Sequence, residues 1–156
     1  MTMSPFKHFD SLEDLEADES KLMKEAISML ERAYAPYSGF RVGAAAMTED
    51  GRIFRGCNQE NASYPLCICG ERVALFNAGS EAHDVPVIKL AIVCKNSKNP
   101  SKEPVSPCGA CRQVIAEFES RHQTKIKIIL KGDADKIYTV DGINELLPYM
   151  FDSSRL

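Results

Sequence analysis

CICGERVAL, residues 67–75, places two cysteines, a glycine and a glutamate directly before a helical pattern. Cys67 and Cys69 are two positions apart, and Glu71 follows Cys69 at the same interval. A thiol at a helix start can bind a metal ion, and a carboxylate beside it can then transfer protons. The same residues also suit an ordinary capped helix with incidental cysteines. The remaining cysteines of the chain must distinguish these two interpretations.

The composition of the 156 residues is typical of one globular domain. Hydrophobic residues make up 44% and charged residues 26%, so a sizeable hydrophobic core can form without disulfide bonds. The formal net charge of -3 argues against an extended face for a polyanion, and we expect no nucleic-acid partner. The longest apolar runs, such as residues 90–94, have the length of a strand, so we expect no membrane span.

Residues 1–17 form a polar, acidic leader, and we expect residues 18–156 to form the single domain. The leader lacks the apolar core of a signal peptide, which predicts a cytoplasmic protein. The six cysteines are not expected to form a disulfide framework in that compartment. Metal binding, catalysis and burial are therefore the alternatives for these cysteines.

Hydrophobic periodicity predicts the order helix, hairpin, helix, strand, helix, strand, strand and helix. The first helix covers about residues 19–33, and a turn at residues 50–51 joins strands at about 41–47 and 52–57. The later elements are a helix at about 69–78 closed by Gly79, a strand at 87–95 and a helix from 108. Strands at 125–132 and 136–140 follow, and then a short helix in residues 142–151 that Pro148 ends. This order predicts a mixed sheet with helices packed on it, and the two cysteine-bearing helices share one face.

PCGAC, residues 107–111, provides a second pair of thiols at a helix start. Cys108 and Cys111 are three positions apart, so both can point at one ion, and the helix dipole favours their thiolates. A catalytic zinc site has three protein ligands and a water, so a third ligand is needed. Cys69 is preferred because it also starts a helix, and two helix N-termini can then meet around one ion. The other candidates are Cys57, Cys67, Cys94, His8, His83 and His122.

The residues after Cys69 suit the chemistry of such a site. Glu71 is too displaced to be an obvious fourth ligand, but it is close enough to transfer a proton of a water on the ion. Three thiolates and one zinc ion sum to a charge of about -1, which makes the water less acidic. An arginine that donates to the thiolates offsets this charge. Arg72 is placed to do so, and Arg112 is a second, weaker candidate.

Cys-Gly-Glu combined with Pro-Cys-x-x-Cys matches the three-cysteine form of the zinc nucleobase deaminase signature. The chain resembles a cytidine deaminase of the homotetrameric, three-cysteine zinc type over about residues 21–151. The matching stretches are AYAPYSGFRVGAA, GCNQENASYP, CGERVALFNA, SPCGACRQV and NELLP. The resemblance implies a three-layer α/β/α sandwich around a mixed five-stranded sheet and a homotetramer. It also implies one zinc ion per chain, held by Cys69, Cys108 and Cys111, with Arg72 beside the thiolates.

The loops add a predicted substrate site. Asn58 and Glu60 can both face a cleft and bind a sugar hydroxyl, and in the family the matching pair holds the ribose 3′-hydroxyl. A carboxylate there repels a 3′-phosphate, which favours a free nucleoside over an internal nucleotide of a strand. The resemblance also implies base packing for Phe40, a backbone donor to the 2-carbonyl at Gly70, a backbone acceptor for the exocyclic amine at Ser106, and contacts across subunits for Tyr64 and Phe151. Alanine usually stands at the position of Gly70, and we expect activity to survive the glycine.

The predicted reaction is hydrolytic deamination of cytidine and 2′-deoxycytidine with release of ammonia, and Glu71 is the proton carrier. Another cytosine nucleoside or an aminonucleoside antibiotic is the nearest alternative substrate. Two alternatives come from other classes. One is a non-catalytic zinc-binding interaction module, whose site Cys67 can close as a fourth ligand, and the other is a redox protein that cycles a disulfide between Cys108 and Cys111. Cys57, Cys67 and Cys94 are otherwise predicted to be buried free thiols.

Overall fold

The computed structural model describes residues 4–156 as a mixed sheet covered by helices on both faces. The strands are β1 (Lys7–Phe9), β2 (Phe40–Thr48), β3 (Ile53–Cys57), β4 (Val87–Asn96), β5 (Lys127–Lys131) and β6 (Ile137–Asp141). The α-helices are α1 (Ala17–Ser28), α2 (Gly70–Glu81) and α3 (Gly109–His122), and 3-10 turns occur at Leu12–Asp14, Leu30–Arg32, Tyr64–Leu66, Ile143–Glu145 and Ser153–Arg155. Across the sheet the order is β1-β6-β5-β4-β2-β3. Only β4 and β5 pair in parallel, and the other neighbours in this sheet are antiparallel.

The sheet of the described residues has six strands, which corrects the prediction of five. The additional strand is β1, which lies within the predicted leader and pairs with β6, so that His8 lies opposite Tyr138. Three residues, KHF, are too few to show an alternating pattern, so the sequence did not reveal this strand. The first three residues of the leader lie outside the described residues. The boundary between leader and domain at residue 17 stays a prediction.

Two hydrophobic clusters establish the three layers of the fold. Along β2, Ala44 and Ala46 belong to a cluster with α2 and α3, whereas Ala45 and Met47 belong to a cluster with α1. Successive side chains of a strand point to opposite faces, so β2 is buried on both of its faces. The helices therefore cover the sheet from both sides, which confirms the predicted three-layer sandwich.

The predicted ends of three helices were wrong. Gly79 does not close α2, which continues to Glu81. The glycine instead leaves room for α3, because a Cβ at this position would lie 3.1 Å from the ring of Phe118. α1 ends at Ser28 and is followed by a 3-10 turn rather than by more α-helix. The last predicted helix is reduced to the 3-10 turn Ile143–Glu145, because Pro148 lacks a backbone donor and restricts the residue before it.

Close contact between α2 and β3 positions the start of α2. A Cβ at Gly56 would lie 2.4 Å from the nitrogen of Ala74 and 2.5 Å from the oxygen of Gly70, so only glycine allows this approach. The start of α2 is thereby held against the sheet, next to the start of α3. In the part of the chain that the structure describes, each helix is too short or too polar to cross a bilayer.

Candidate active site

Three thiols meet where the N-termini of α2 and α3 approach each other. Cys69 is the N-cap residue of α2, Cys108 is the N-cap residue of α3, and Cys111 lies in the first turn of α3. The Sγ atoms of Cys69 and Cys108 are 3.8 Å apart, and those of Cys108 and Cys111 are 3.4 Å apart. Sulfur atoms around a tetrahedral zinc ion lie about 3.8 Å apart when the bonds are about 2.3 Å long. The three thiols therefore fit one zinc ion.

The thiols lie beside a positive charge. Nη2 of Arg72 donates a hydrogen bond to Sγ of Cys69 over 3.8 Å. The pKa of Cys69 is lowered to about 5, because it accepts a hydrogen bond from Cys111 and further hydrogen bonds from Arg72 and Cys108. The pKa of Cys111 is raised, because it gives that hydrogen bond to Cys69 and is buried. The cluster thus stabilises a thiolate next to a guanidinium, and the role of Arg72 beside a bound zinc ion stays a prediction.

Glu71 is a buried carboxyl group beside the thiols. Its side chain is 4% exposed, and its Oε2 atom has no hydrogen-bond partner among the described residues. The pKa of Glu71 is raised to about 7, because burial disfavours the charged form and the charge of Cys69 adds to this effect. A carboxyl group with a pKa near neutrality can both accept and donate a proton near pH 7. Its free oxygen is therefore available to a water or a substrate.

A cavity of about 420 Å³ opens beside these groups. Its volume lies within the range of small-molecule sites. Eight of the predicted site residues line it, namely Phe40, Asn58, Glu60, Cys69, Glu71, Arg72, Ser106 and Cys108. The apolar part of the lining includes Val42, Ile68 and Val105. The structure thus brings residues from four separate chain segments to one cavity.

Four predicted site residues lie outside the lining of this cavity. Cys111 is buried beside the other two thiols. Gly70 faces β2 instead, where an added Cβ would lie 3.0 Å from the oxygen of Val42. Tyr64 is exposed and lines a neighbouring cavity, and Phe151 is exposed near the C-terminus. Contacts of these two aromatic residues with another subunit stay a prediction.

Asn58 holds the backbone of β2 on the cavity wall. Its Oδ1 accepts a hydrogen bond from the nitrogen of Val42, and its Nδ2 donates to the oxygen of Phe40, both over 2.8 Å. A side-chain amide has two N–H groups and two lone pairs, so each end keeps one for a ligand. Asn58 can therefore bind a substrate and at the same time position Phe40.

Cys67 lines the cavity but does not join the three thiols. Cys57 and Cys94 are buried, as expected, but Cys67 is half-buried and lines the cavity, so the prediction of a buried thiol was wrong for it. Its sulfur accepts a hydrogen bond from the nitrogen of Asn61 over 3.2 Å, a loop contact that no sequence pattern indicates. Among the described residues, the cluster of potential metal ligands at this site comprises three thiols and excludes Cys67.

Arg112, the second arginine candidate, binds backbone carbonyl groups rather than thiols. Its Nε atom donates to the oxygen of Pro107 and its Nη1 atom donates to the oxygen of Leu146, each over 2.8 Å. These bonds connect the start of α3 with the turn near the C-terminus. This arginine therefore supports the helix start on which two of the thiols lie.

Three thiols that could hold one metal ion, with a buried carboxyl group beside them, suit a catalytic zinc site, because structural zinc sites have four protein ligands. Residues 16–126 match the family model described as the cytidine and deoxycytidylate deaminase zinc-binding region. The chain belongs to this family, and zinc is its cofactor.

Individual relatives agree with this assignment. The chain is 47% identical over 140 residues to the cytidine deaminase of Halalkalibacterium halodurans, which covers 89% of this chain and 98% of that protein. It is 42% identical over 139 residues to the cytidine deaminase of Sporosarcina psychrophila, with 89% and 95% covered. The crystal structure of cytidine deaminase from Burkholderia pseudomallei matches with a TM-score of 0.72 and 40% identity, and covers 84% of this chain and 97% of that chain.

Proposed function

We propose that the protein is a zinc-dependent hydrolase that converts cytidine and 2′-deoxycytidine to the uridines and releases ammonia. The observation that carries this proposal is the buried carboxyl group of Glu71 beside three thiols on the wall of one cavity. The relatives at 47% and 42% identity, both named cytidine deaminase, support the choice of substrate.

Cys69, Cys108 and Cys111 hold the zinc ion in this proposal. When bound, zinc lowers the pKa of a water molecule and so supplies a hydrolytic nucleophile near neutral pH. Arg72 donates to Cys69 and offsets the negative charge of the thiolates. The N-termini of α2 and α3 add positive potential at the same place, because Cys69 and Cys108 are their N-cap residues and the first N–H groups of a helix have no partner within it.

Glu71 moves the protons of the reaction. It accepts a proton from the attacking water and delivers protons at N3 of the pyrimidine and at the departing amine. Burial raises its pKa to about 7, so that the carboxylate and the carboxylic acid are both accessible. Glu71 lies in the first turn of α2, and the cluster of potential ligands at this site among the described residues does not include it, which supports a role as proton carrier.

The remaining residues orient the nucleoside. Phe40 packs against the pyrimidine, and Asn58 and Glu60 bind the ribose 3′-hydroxyl. The backbone nitrogen of Gly70 donates to the 2-carbonyl, since the first N–H groups of a helix have no partner within it. The backbone oxygen of Ser106 accepts from the exocyclic amine. The presence of Phe40, Asn58, Glu60 and Ser106 in the cavity lining supports these roles.

Homotetramer formation and a cytoplasmic location complete the proposal. Exposed apolar side chains suit an interface between copies, and Tyr64 (69% exposed), Leu66 (68%) and Phe151 (59%) are among them. Light scattering coupled to gel filtration tests the tetramer, and a monomer would contradict it. The six cysteines, all within the described residues, are free thiols, which supports a reducing compartment.

Turnover of cytidine, followed by ultraviolet absorbance with zinc-loaded protein, tests the function. Glu71→Gln removes the proton carrier but keeps the thiols, so turnover should fall by about 10²–10⁴-fold while one zinc ion per chain remains bound. Near-normal turnover by this variant would contradict the mechanism. No turnover by the parent protein, with zinc bound, would contradict cytidine as the substrate and direct the assay to other cytosine nucleosides.

A further inference from the structure

Ser38 lies next to the predicted sugar-binding carboxylate but outside the substrate cavity. It belongs to the turn before β2 and lines a smaller neighbouring cavity, together with Tyr37, Tyr64 and Cys67. Glu60 lines both cavities, so its carboxyl group forms part of the wall between them. Cys67 also lines both cavities, but the side chain that Ser38 contacts directly is that of Glu60.

The turn provides three hydrogen-bond donors to Glu60. Its Oε2 atom accepts from the backbone nitrogen of Tyr37 over 2.9 Å and from that of Ser38 over 3.3 Å. Its Oε1 atom accepts from the hydroxyl group of Ser38. A carboxylate offers about four lone-pair positions, so these bonds occupy both positions of Oε2 and one of Oε1. The remaining position of Oε1 is the one left for a ligand.

The same bonds keep Glu60 ionised. The hydroxyl group of Ser38 is the largest cause of the lowered pKa of Glu60, and the two backbone nitrogens and the charge of Lys98 add to it. Lys98 also donates to the backbone oxygen of Tyr37 over 2.9 Å, which fastens the turn from its other side. An ionised carboxylate is a stronger acceptor for a hydroxyl group than a neutral one.

The backbone of Phe40 orients the hydroxyl group of Ser38. The nitrogen of Phe40 donates to Oγ of Ser38 over 3.0 Å, so that oxygen serves as the acceptor in this bond. The hydroxyl hydrogen therefore remains free to point at Glu60. One serine thus connects the residue that packs against the base with the residue that binds the sugar.

We infer that Ser38 is a positioning residue, which orients Oε1 of Glu60 towards the ribose 3′-hydroxyl and so increases selection for nucleosides that carry this hydroxyl. The inference rests on the proposed function. It goes further because Ser38 lies outside the lining of the substrate cavity, and its hydroxyl group hydrogen-bonds Glu60 and the backbone of Phe40 instead. A purely structural serine would affect all substrates alike.

Comparison of cytidine with 3′-deoxycytidine tests this inference. The parent protein should have a higher kcat/KM for cytidine, because 3′-deoxycytidine leaves Glu60 without its partner. In Ser38→Ala, the ratio of the two kcat/KM values should fall about tenfold, the effect of one hydrogen bond to a charged group. The loss should appear as a higher KM for cytidine, with kcat, the zinc content and the values for 3′-deoxycytidine nearly unchanged.

Three further variants separate positioning from structural damage. Ser97→Ala is the matched control, because Ser97 donates to the oxygen of Gly39 in the same turn region but does not bind Glu60; it should keep the parent ratio. Ser38→Thr retains the hydroxyl group and should restore most of the ratio. In a Glu60→Gln background, Ser38→Ala should change the ratio of the two kcat/KM values little further, because the side chain that Ser38 orients is already altered.

Each outcome decides the inference. The inference is supported if the ratio of the two kcat/KM values falls in Ser38→Ala, stays at the parent value in Ser97→Ala and is restored in Ser38→Thr. An unchanged ratio, or an equal loss for both substrates, overturns the role of Ser38 while cytidine turnover by the parent still supports the proposed function. Absence of cytidine turnover by the zinc-loaded parent overturns the proposed function and this inference with it.

Discussion

Two clusters of three potential metal ligands occur in the described residues, and they differ in how their charges are balanced. The acidic cluster consists of Glu16, Asp18 and Glu19, beside the start of α1. Nζ of Lys89 lies 2.6 Å from Oδ2 of Asp18, 3.4 Å from Oε2 of Glu16 and 3.5 Å from Oε1 of Glu19. Lys127 forms a further ion pair with Glu19. Ammonium groups therefore already occupy the place where a cation would bind.

The thiol cluster, formed by the three cysteines of the candidate active site, has no lysine among its partners in the described residues. Arg72 donates to one thiol from the side, and Glu71 lies beside the cluster with a buried oxygen that lacks a partner among the described residues. Buried polar atoms of native proteins nearly always have partners, so this oxygen indicates a ligand or a water. The comparison shows that proximity of ligand atoms is not sufficient, and that the balance of charge distinguishes a metal site from an ion-pair cluster.

The largest effect is expected when a thiol ligand is removed. Cys111→Ser should lose most of the bound zinc and lower cytidine turnover by more than about 100-fold, because a serine hydroxyl does not ionise to replace the thiolate. Zinc per chain and turnover are the measurements. Cys94→Ala removes a buried thiol elsewhere and should keep both. Full zinc content in Cys111→Ser would refute the assignment of this ligand.

A lysine that pairs with the acidic cluster should affect the stability of the protein rather than its zinc binding. Glu19 is 1% exposed, so Lys127→Ala leaves a buried carboxylate with one weaker partner and should reduce the free energy of unfolding by about 3 kcal/mol. The zinc content should not change. Thermal unfolding measures the effect, and Lys7→Ala is the matched control. The ion pair of Lys7 with Asp141 is exposed on both sides, so its loss should change stability by less than about 1 kcal/mol. Equal effects of the two variants would contradict this view of the acidic cluster.

A methyl group at the start of α2 should have a moderate effect. In Gly70→Ala the new Cβ would lie 3.0 Å from the oxygen of Val42 and 3.3 Å from the nitrogen of Asn58. Overpacking of this kind costs about 1–3 kcal/mol, and the reduced freedom of the unfolded chain offsets about 0.5–1 kcal/mol. We expect a net loss of about 1 kcal/mol with zinc retained, measured by chemical denaturation. A gain in stability would show that β2 moves to admit the methyl group.

The smallest predicted effect is a pH dependence in the acidic cluster. A hydrogen bond from Lys89 lowers the pKa of Asp18 below its usual value of 3.8. A lowered pKa in the folded state contributes stability above the unfolded pKa, and this contribution is lost as the pH falls through the folded pKa. Asp18→Asn should therefore be less stable than the parent by less than about 1 kcal/mol at pH 6. The two proteins should converge as the pH falls through the lowered pKa of Asp18. A difference that persists at the acidic end would exclude ionisation of Asp18 as its cause.

The residues of the candidate site were predictable to different degrees. Cys108 and Cys111 share a helix start, and Cys69 starts another helix, so local spacing identified the three thiols and Glu71. The contact of Ser38 with Glu60 joins residues 22 positions apart through a turn, and no spacing rule reports it. Resemblance to a family supplied the roles in substrate binding, but it did not show which side chains hold one another.

The fold was predictable where apolar periodicity was long. β2 and β4 contain long apolar runs and were identified to within a residue or two. The order of elements predicted a mixed sheet with helices packed on it, and the family resemblance implied the three layers. β1 escaped notice because its three residues have no pattern, and its pairing with β6 depends on backbone hydrogen bonds at the edge of a formed sheet. Gly79 was misread because a glycine that ends a helix and one that admits a neighbouring helix have the same local signal.

By itself, the sequence determined the ligand types, their placement at two helix starts and the alternation of elements, because these features depend on residues a few positions apart. Only the tertiary structure decided which of the two clusters of potential metal ligands has its charge balanced by lysine side chains. Lys89 comes from β4 and lies 71 positions from Asp18, and Lys127 comes from β5. Partners so distant in the chain are set by how the helices and the sheet pack, and no local pattern encodes their meeting.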